Sequence, residues 1–486
     1  MTTERELFIA GEHQPAASRK HMVDTDPYTG ETMAVVAAGG PEDAVRAVDA
    51  AAGAFEAWAS LAPAERRRLL LAAADILEAR AKEAAGLMTA ETGATGPWGH
   101  FNVSLAAEML REAGSLVTAP AGQVLPTSMP GAFSLSLRQP AGVVAAFSPW
   151  NAPMILGVRA VAAPLAAGNT VVLKPSEHAP LSAGFFIADV LAEAGLPAGV
   201  INIVTSAPED APGVAEALIS DPRVRRVSFT GSTKVGRSIG ELAARYLTPA
   251  VLELGGKNAL VVLEDADLDY AVDAAAFGAY MNSGQICMSA DRVIAHASVA
   301  DELAQRLAAK AARLPAGDPR DPGTLIGPLI TPAAAERVAA MVEEAASMGA
   351  KVLAGGGPPE RALLPASVLA GVSPAMRVEK EEIFGPVCTV TAVADDEEAV
   401  KVANSTAYGL TAGVVTEDLR RGFAVAQKLR TGIVHVNDQP VDDEPQAPFG
   451  GVGDSGYGRF GGRAGIEAFS ETRWVTLQRA HRAFPF

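Results

Sequence analysis

Only two cysteines, Cys287 and Cys388, occur in 486 residues, so neither a disulfide framework nor a four-thiolate metal site is available. The seven histidines form no His-Glu-x-x-His pattern and none is grouped with a thiol, so no metal site is expected. Basic charge is also short, with 40 Lys and Arg against 56 Asp and Glu and a net charge of −16. A chain this acidic has no general electrostatic pull toward nucleic acid or an anionic membrane surface. No uncharged apolar run reaches the ~18 residues needed to span a bilayer. The opening Met1-Thr-Thr-Glu-Arg-Glu-Leu7 has neither the basic nor the apolar region of a signal peptide. A cytoplasmic enzyme or enzyme-like binder of small molecules is the expectation left standing. Apolar residues, by contrast, make up 49% of the chain and charged ones 20%, which suits a large core. At about 150 residues per domain the length suggests roughly three units.

The first third is Ala-rich with a helical period. Pro41-Glu-Asp opens a helix that continues through Ala59, and Pro63-Ala-Glu opens a second running toward Ala90. Both carry acidic residues in the first turn, where the helix dipole favours them. From about residue 140 short apolar runs alternate with helices. The runs are 142–147, 170–173, 200–204, 224–229 and 251–254, with helical stretches at 180–194 and 232–246. A second alternation has a strand at 259–263 and helices near 268–281, 299–313, 332–348 and 397–404. The Gly-rich segment 352–366 reads as a loop or exposed hairpin. This alternation predicts an α/β fold with two parallel-sheet lobes.

Two phosphate-binding patterns are near misses. Gly451-Val-Gly453-Asp-Ser-Gly456 fits the dinucleotide expression, but it follows Pro448-Phe-Gly rather than a strand. Only 30 residues follow it in the chain of 486, too few for a βαβ unit. Gly231-Ser-Thr-Lys-Val-Gly236-Arg-Ser238 has Arg237 where a P-loop needs Lys. A strand ending at Phe229, then Gly and a helix, still makes an anion site.

Three residues carry candidate chemistry. Cys287, in Asn282-Ser-Gly-Gln-Ile-Cys287-Met-Ser, sits among small polar residues that suit a tight loop with free backbone N–H groups. A thiolate there attacks a carbonyl and draws oxyanion stabilisation from its own amide, whereas the bland alternative is a buried structural thiol. Cys388, in the apolar run Pro386-Val-Cys-Thr-Val390, reads as core. Glu253 interrupts the run Val251–Leu254. A poorly solvated carboxylate has a raised pKa and suits general-base work, the alternative being a salt-bridged strand end. Asn151, in Phe147-Ser-Pro-Trp-Asn151-Ala-Pro153, offers an amide donor to an oxyanion or a cap to the following helix.

Together these segments resemble the NAD(P)-dependent aldehyde dehydrogenase superfamily from about residue 8 to 480. The matches run in family order: Ser148-Pro-Trp-Asn151, Val172-Leu-Lys174-Pro-Ser-Glu177, Phe229-Thr-Gly-Ser232, Leu252-Glu253-Leu-Gly-Gly-Lys257, Gly284-Gln-Ile-Cys287, Glu382-Ile-Phe384-Gly-Pro and Pro448-Phe-Gly-Gly. The resemblance implies Cys287 as nucleophile, Glu253 as the base for water, with the thiol as a second candidate for its action, and Asn151 with the Cys287 amide as oxyanion hole. Glu253 disfavours the CoA-acylating branch. Lys174 and Glu177 would hold the adenosine ribose. A carboxylate on both ribose hydroxyls repels a 2′-phosphate, which implies NAD over NADP. Gly231 and Ser232 would meet the pyrophosphate, with Trp150 near the adenine–diphosphate region and Leu254 beside the cofactor. Glu382 would bind the nicotinamide ribose, with Phe384 packed beside it.

The implied fold has a Rossmann-like cofactor lobe over 1–121 and 141–252, an α/β catalytic lobe over 253–468, and an oligomerisation arm from 122–140 and 469–486. A homodimer or homotetramer follows from the unpaired edges of such an arm. Within the family, Gly458-Arg459-Phe460, Val434-His-Val-Asn437-Asp, Asp442-Asp-Glu-Pro-Gln446 and Leu156-Gly-Val-Arg159 resemble the aromatic-aldehyde branch. That branch includes benzaldehyde, vanillin and salicylaldehyde dehydrogenases. Leu156, Arg159, Ile286, Met288 and Phe449 would then line the substrate tunnel, with Arg159 near a ring or phenolic oxygen. The alternative for Arg159 is a salt bridge to Asp442 or Asp443. Competing readings are a broad aliphatic, terpenoid or semialdehyde dehydrogenase and a non-catalytic NAD-binding structural protein.

Overall fold

The computed structural model describes residues 3–119 and 122–486. The expected segment boundary at 121 and the first two residues of the chain lie outside these. An eight-stranded sheet runs in the order Gly456–Tyr457, Ala250–Glu253, Val224–Thr230, Val143–Ser148, Thr170–Pro175, Ile201–Ile203, Leu7–Ile9 and Glu12–Gln14. The five strands from Ala250–Glu253 to Ile201–Ile203 are parallel, and the outer strands on both sides are antiparallel to their neighbours.

The strands Val143–Ser148 and Thr170–Pro175 are buried at every position, because helices cover both faces of a parallel sheet. Their alternation divides the core in two. Val144, Ala146, Val171 and Leu173 pack with the helix Pro153–Ala166. Val143, Ala145, Phe147 and Val172 pack with Ala44, Val48, Val214 and Leu218 on the other face. The helix Pro153–Ala166 is buried at every residue but Ala163, which explains an apolar sequence with little polar stripe.

A second sheet of seven strands has the order Lys351–Ala354, Ser367–Ala370, Val387–Val393, Arg292–His296, Ala259–Val262, Thr411–Val415 and Ile433–Val436. All are parallel except Lys351–Ala354. Its hairpin partner is Ser367–Ala370, so the Gly-rich segment joins an edge strand to its neighbour. A third sheet is an antiparallel arm of Gly122–Leu125, Ala132–Pro140 and Ser470–Gln478, the last two paired over nine residues.

Two expectations need correction, and one sheet adds to them. The two large sheets are mixed rather than parallel, since short edge segments return antiparallel where no crossover helix is available. A small sheet of Thr3–Arg5, Thr32–Ala37 and His21–Thr25 was not anticipated, its strands being short and weakly alternating. The helix opened by Pro63 breaks at Arg80 into Pro63–Ala79 and Ala81–Thr92. There the Arg80 guanidinium is held by Glu83 and Glu193 and lies 4.4 Å over the Phe186 ring. Cys388 is fully buried in Val387–Val393, 3.4 Å from the Tyr280 hydroxyl. Among the described residues no helix is long and apolar enough to cross a membrane.

Candidate active site

Four neighbouring parallel strands end at one cavity of about 1080 Å³. Val143–Ser148 delivers Trp150 and Asn151, Thr170–Pro175 delivers Lys174 and Glu177, Val224–Thr230 delivers Gly231 and Ser232, and Ala250–Glu253 delivers Glu253 and Leu254. A crevice at the carboxyl ends of parallel strands is where open α/β sheets place ligands. Cys287, Glu382 and Phe384 reach the same cavity from the other large sheet's side.

The loop carrying Cys287 is tightly wound. Asn282, Ser283 and Gly284 follow one another with φ of +50°, +56° and +70°. Left-handed backbone costs a non-glycine residue roughly 1–2 kcal/mol, so the turn needs external ties. Asn282 Nδ2 donates to the Asn151 carbonyl at 2.9 Å, Ser283 Oγ donates to the Gly327 carbonyl at 3.0 Å, and Gln285 Oε1 accepts from Ile330 N at 2.9 Å. Gly284 has no room for a side chain, because a Cβ would fall 2.1 Å from the Gly385 oxygen. Asn258 Nδ2 donates to the Cys287 carbonyl at 2.8 Å.

Gly255 and Gly256 let this loop close against the strand end. A Cβ on Gly256 would meet the Cys287 oxygen at 2.3 Å, and one on Gly255 would meet Glu382 Oε2 at 2.5 Å. Glu382 Oε1 accepts from Gly256 N at 3.0 Å. The rejected dinucleotide pattern has a bracing task here. Ser455 accepts from Leu254 N at 3.1 Å through its carbonyl, and its Oγ donates to the Gly255 carbonyl at 2.7 Å.

Asn151 does not cap the following helix, whose N-cap is Ala152 with no side-chain bond. Its Nδ2 donates one hydrogen to the Gln285 carbonyl at 2.9 Å, and an amide nitrogen carries a second. Trp98 Nε1 donates to the Asn151 carbonyl at 3.0 Å. Trp98, Asn282, Gln285 and Asn258 were not singled out from the sequence. The last three lie inside or beside the quoted motifs, whereas Trp98 has no local signal.

Glu253 is no salt-bridged strand end. It is buried and neither carboxylate oxygen has a hydrogen-bond partner. Burial pushes its pKa up to about 8, with Arg159 opposing and Glu382 adding to the rise. The Cys287 thiol lies well above its usual range through burial and then the Glu253 charge. Glu382 is pushed up to about 7 by burial, held back by the Gly256 N–H. Lys174 Nζ lies 3.8 Å from Glu177 Oε2. Burial lowers the ammonium, with Glu177 opposing. Burial raises Glu177, but Lys174 and further partners carry it net below its usual value.

The residues present fit a dinucleotide. Ser232 caps the helix Thr233–Arg245, its Oγ accepting from Val235 N at 3.4 Å, so a helix N-terminus faces the cavity. A Cβ on Gly231 would lie 2.8 Å from the Phe229 ring, so the chain comes close there. Phe384, at φ +51°, meets Trp150 edge-on with centroids 5.6 Å apart.

Of the five candidate tunnel residues, Leu156 lines the wide cavity. Arg159 and Phe449 line a separate small pocket. Ile286 and Met288 are buried in the apolar cluster that holds Leu156 and Phe449 and on which Cys287 rests. Arg159 pairs with Asp443 and stacks 4.0 Å over Phe449.

The model of the aldehyde dehydrogenase family matches residues 13–475. The chain belongs to the aldehyde dehydrogenase family. It is 51% identical to a vanillin dehydrogenase of a Pseudomonas species over 99% of both chains. It is 41% identical to an NAD(+) benzaldehyde dehydrogenase of Pseudomonas putida over 95% of this chain and 94% of that one. The crystal structure of a Pseudomonas putida salicylaldehyde dehydrogenase complexed with salicylaldehyde superposes with a TM-score of 0.97, at 41% identity and full coverage of both chains. The aldehyde dehydrogenase fold accounts for both mixed sheets and the antiparallel arm.

Proposed function

We propose that this aldehyde dehydrogenase oxidises an aromatic aldehyde of the benzaldehyde, vanillin or salicylaldehyde type to its acid, with NAD rather than NADP, in the cytoplasm. The observation that carries the reading is one cavity lined by Cys287, the unpartnered Glu253 carboxylate and the Lys174–Glu177 pair. The likeness to vanillin, benzaldehyde and salicylaldehyde dehydrogenases supports the substrate class.

A thiol whose pKa is raised is neutral at rest and needs a base. Glu253, poised near 8, takes that proton, and the Cys287 sulfur attacks the aldehyde carbon to give a thiohemiacetal. The oxyanion is met by the second Asn151 N–H and by the Cys287 backbone amide, which makes no other hydrogen bond among the described residues. Bound NAD supplies the hydride acceptor that turns the thiohemiacetal into a thioester. Glu253 gives the thiol proton up to solvent, then takes a proton from water as it attacks the thioester, and that proton passes to the departing Cys287 sulfur as the acid leaves. Lys174 and Glu177 hold the adenosine ribose, Gly231 and Ser232 the pyrophosphate, with Trp150 and Leu254 alongside. Glu382 and Phe384 hold the nicotinamide end.

The segments 1–121 and 141–252 act as the cofactor lobe and 253–468 as the catalytic lobe. The arm carries Val124, Phe133, Trp474 and Leu477 at 52–76% exposure, an apolar surface suited to a second copy. A homodimer or homotetramer is the working unit.

NADH absorbance with NAD or NADP and a panel of aldehydes tests the reading. Benzaldehyde, vanillin and salicylaldehyde are expected to outrun hexanal, citral and succinic semialdehyde with NAD, and Cys287→Ala to abolish turnover. Preference for an aliphatic aldehyde would overturn the aromatic assignment.

A further inference from the structure

Arg159 is a buried cation with one side unspent. Its side chain is 5% exposed, Nη2 is committed to Asp443, and Nη1 has no hydrogen-bond partner. It lies one helical turn past Leu156 and faces a pocket it shares with Phe449 and Phe460. Those two rings, Leu156, Ile286 and Met288 belong to the apolar cluster that supports Cys287. The pocket adjoins an outer cleft of about 620 Å³, with Glu112, Asp443 and Glu444 lining both.

A lone buried guanidinium beside a reactive thiol would draw in aldehydes bearing a carboxylate. Here Asp443 cancels it, its own side chain also 5% exposed. The cleft outside adds Glu108, Glu112 and Glu444, while its one cation, Arg111, is committed to Asp75, Glu78 and Glu108. Excess negative charge therefore lines both chambers, and Arg159, near enough to Cys287 and Glu253 for its charge to act on both, is masked by Asp443.

We propose that aldehydes reach Cys287 from this side and that Asp443, with the rim carboxylates Glu112 and Glu444, forms a charge filter that admits neutral aldehydes and rejects aldehydes carrying a carboxylate. Selection of this kind works by repulsion as much as by attraction. The same field helps expel the carboxylate product once Cys287 has released it. The inference rests on the proposed function for the neutral aromatic substrate, though not on which ring substituents that substrate bears.

The test is the ratio of kcat/KM for 4-carboxybenzaldehyde to that for benzaldehyde, repeated with succinic semialdehyde and hexanal. Asp443→Asn exposes the Arg159 charge and should raise both ratios by about tenfold or more, the scale of one unmasked buried charge. The double variant Glu112→Gln with Glu444→Gln, on accessible positions, should raise them about two- to threefold at ~20 mM salt and lose that gain near ~500 mM. Unchanged ratios in both variants would overturn the filter; if Asp443→Asn does not fold, an unchanged ratio in the rim variant does so alone. Failure of the aromatic reading looks different: benzaldehyde is then a poor substrate everywhere, while the aliphatic pair still reports on the filter.

Discussion

The wide cavity draws its polar groups from the ends of four neighbouring parallel strands and two loops, whereas the small pocket around Arg159 is assembled from the helices Gly96–Leu116 and Pro153–Ala166 and a distant segment. In the first, each group follows an apolar strand within a few residues, as Asn151 follows Val143–Ser148 and Glu253 ends Ala250–Glu253. In the second, the decisive contact joins Arg159 to Asp443 across 284 residues. Groups fixed by a sheet act on every substrate alike, while groups fixed by packing between elements set which substrate is favoured. Variants on the cavity side should therefore change rates uniformly, and variants on the pocket side should change ratios.

Glu253→Gln should give the largest uniform effect, a fall of about 10³ in kcat for aromatic and aliphatic aldehydes alike, within the range for loss of a general base. The wild-type rate should climb as pH rises through about 8, where the carboxylate forms. Stability should move the other way. The folded state holds the Glu253 proton between the unfolded value near 4.5 and about 8, so wild-type stability falls as pH rises through that window. The variant lacks that loss and should be more stable at pH 9 by up to about 5 kcal/mol. Melting curves at pH 5 and 9 check the sign, and a wild type that gains relative stability on going to pH 9 would break the account of Glu253.

Asn151→Ala should lower kcat by ~10²–10³ for benzaldehyde and hexanal equally, the usual loss for one oxyanion donor. A loss confined to one aldehyde would place Asn151 with the pocket instead. Phe449→Leu sharpens the contrast from the other side. Losing the ring under Arg159 should lower kcat/KM for benzaldehyde about tenfold and leave hexanal within about twofold. Equal losses would erase the distinction between the chambers, and the ratios of the Glu112→Gln with Glu444→Gln variant form the subtlest arm of the same comparison.

The alternation of short apolar runs with helices from residue 140 onward was enough to place the five parallel strands of the first sheet and Ala259–Val262 of the second, because strands buried on both faces have a composition that little else shares, whereas Arg292–His296, Ser367–Ala370, Thr411–Val415 and Ile433–Val436 were missed. Cys287, Glu253 and Asn151 stood out because each breaks an apolar or glycine-rich context that a core would not tolerate without reason. The antiparallel edges and the small N-terminal sheet were hidden, since strands such as Leu7–Ile9 and Thr3–Arg5 are three residues long and carry little period. Trp98 was invisible as a support for Asn151 because its bond spans 53 residues and leaves no mark in the local sequence.

The choice between Asp442 and Asp443 as partner for Arg159 was open for a similar reason. Adjacent acids are equivalent until the backbone aims one of them inward. By itself, then, the amino-acid sequence determined the α/β layout and the family and singled out the candidates for nucleophile, base and amide donor, since these follow from local pattern and residue chemistry. Only the tertiary structure decided that Glu253 is left without a hydrogen-bond partner, that Asn151 has one N–H to spare, and that Asp443 masks Arg159. Each of these is a matter of desolvation and close approach between distant segments, which depend on packing rather than on neighbours in the chain.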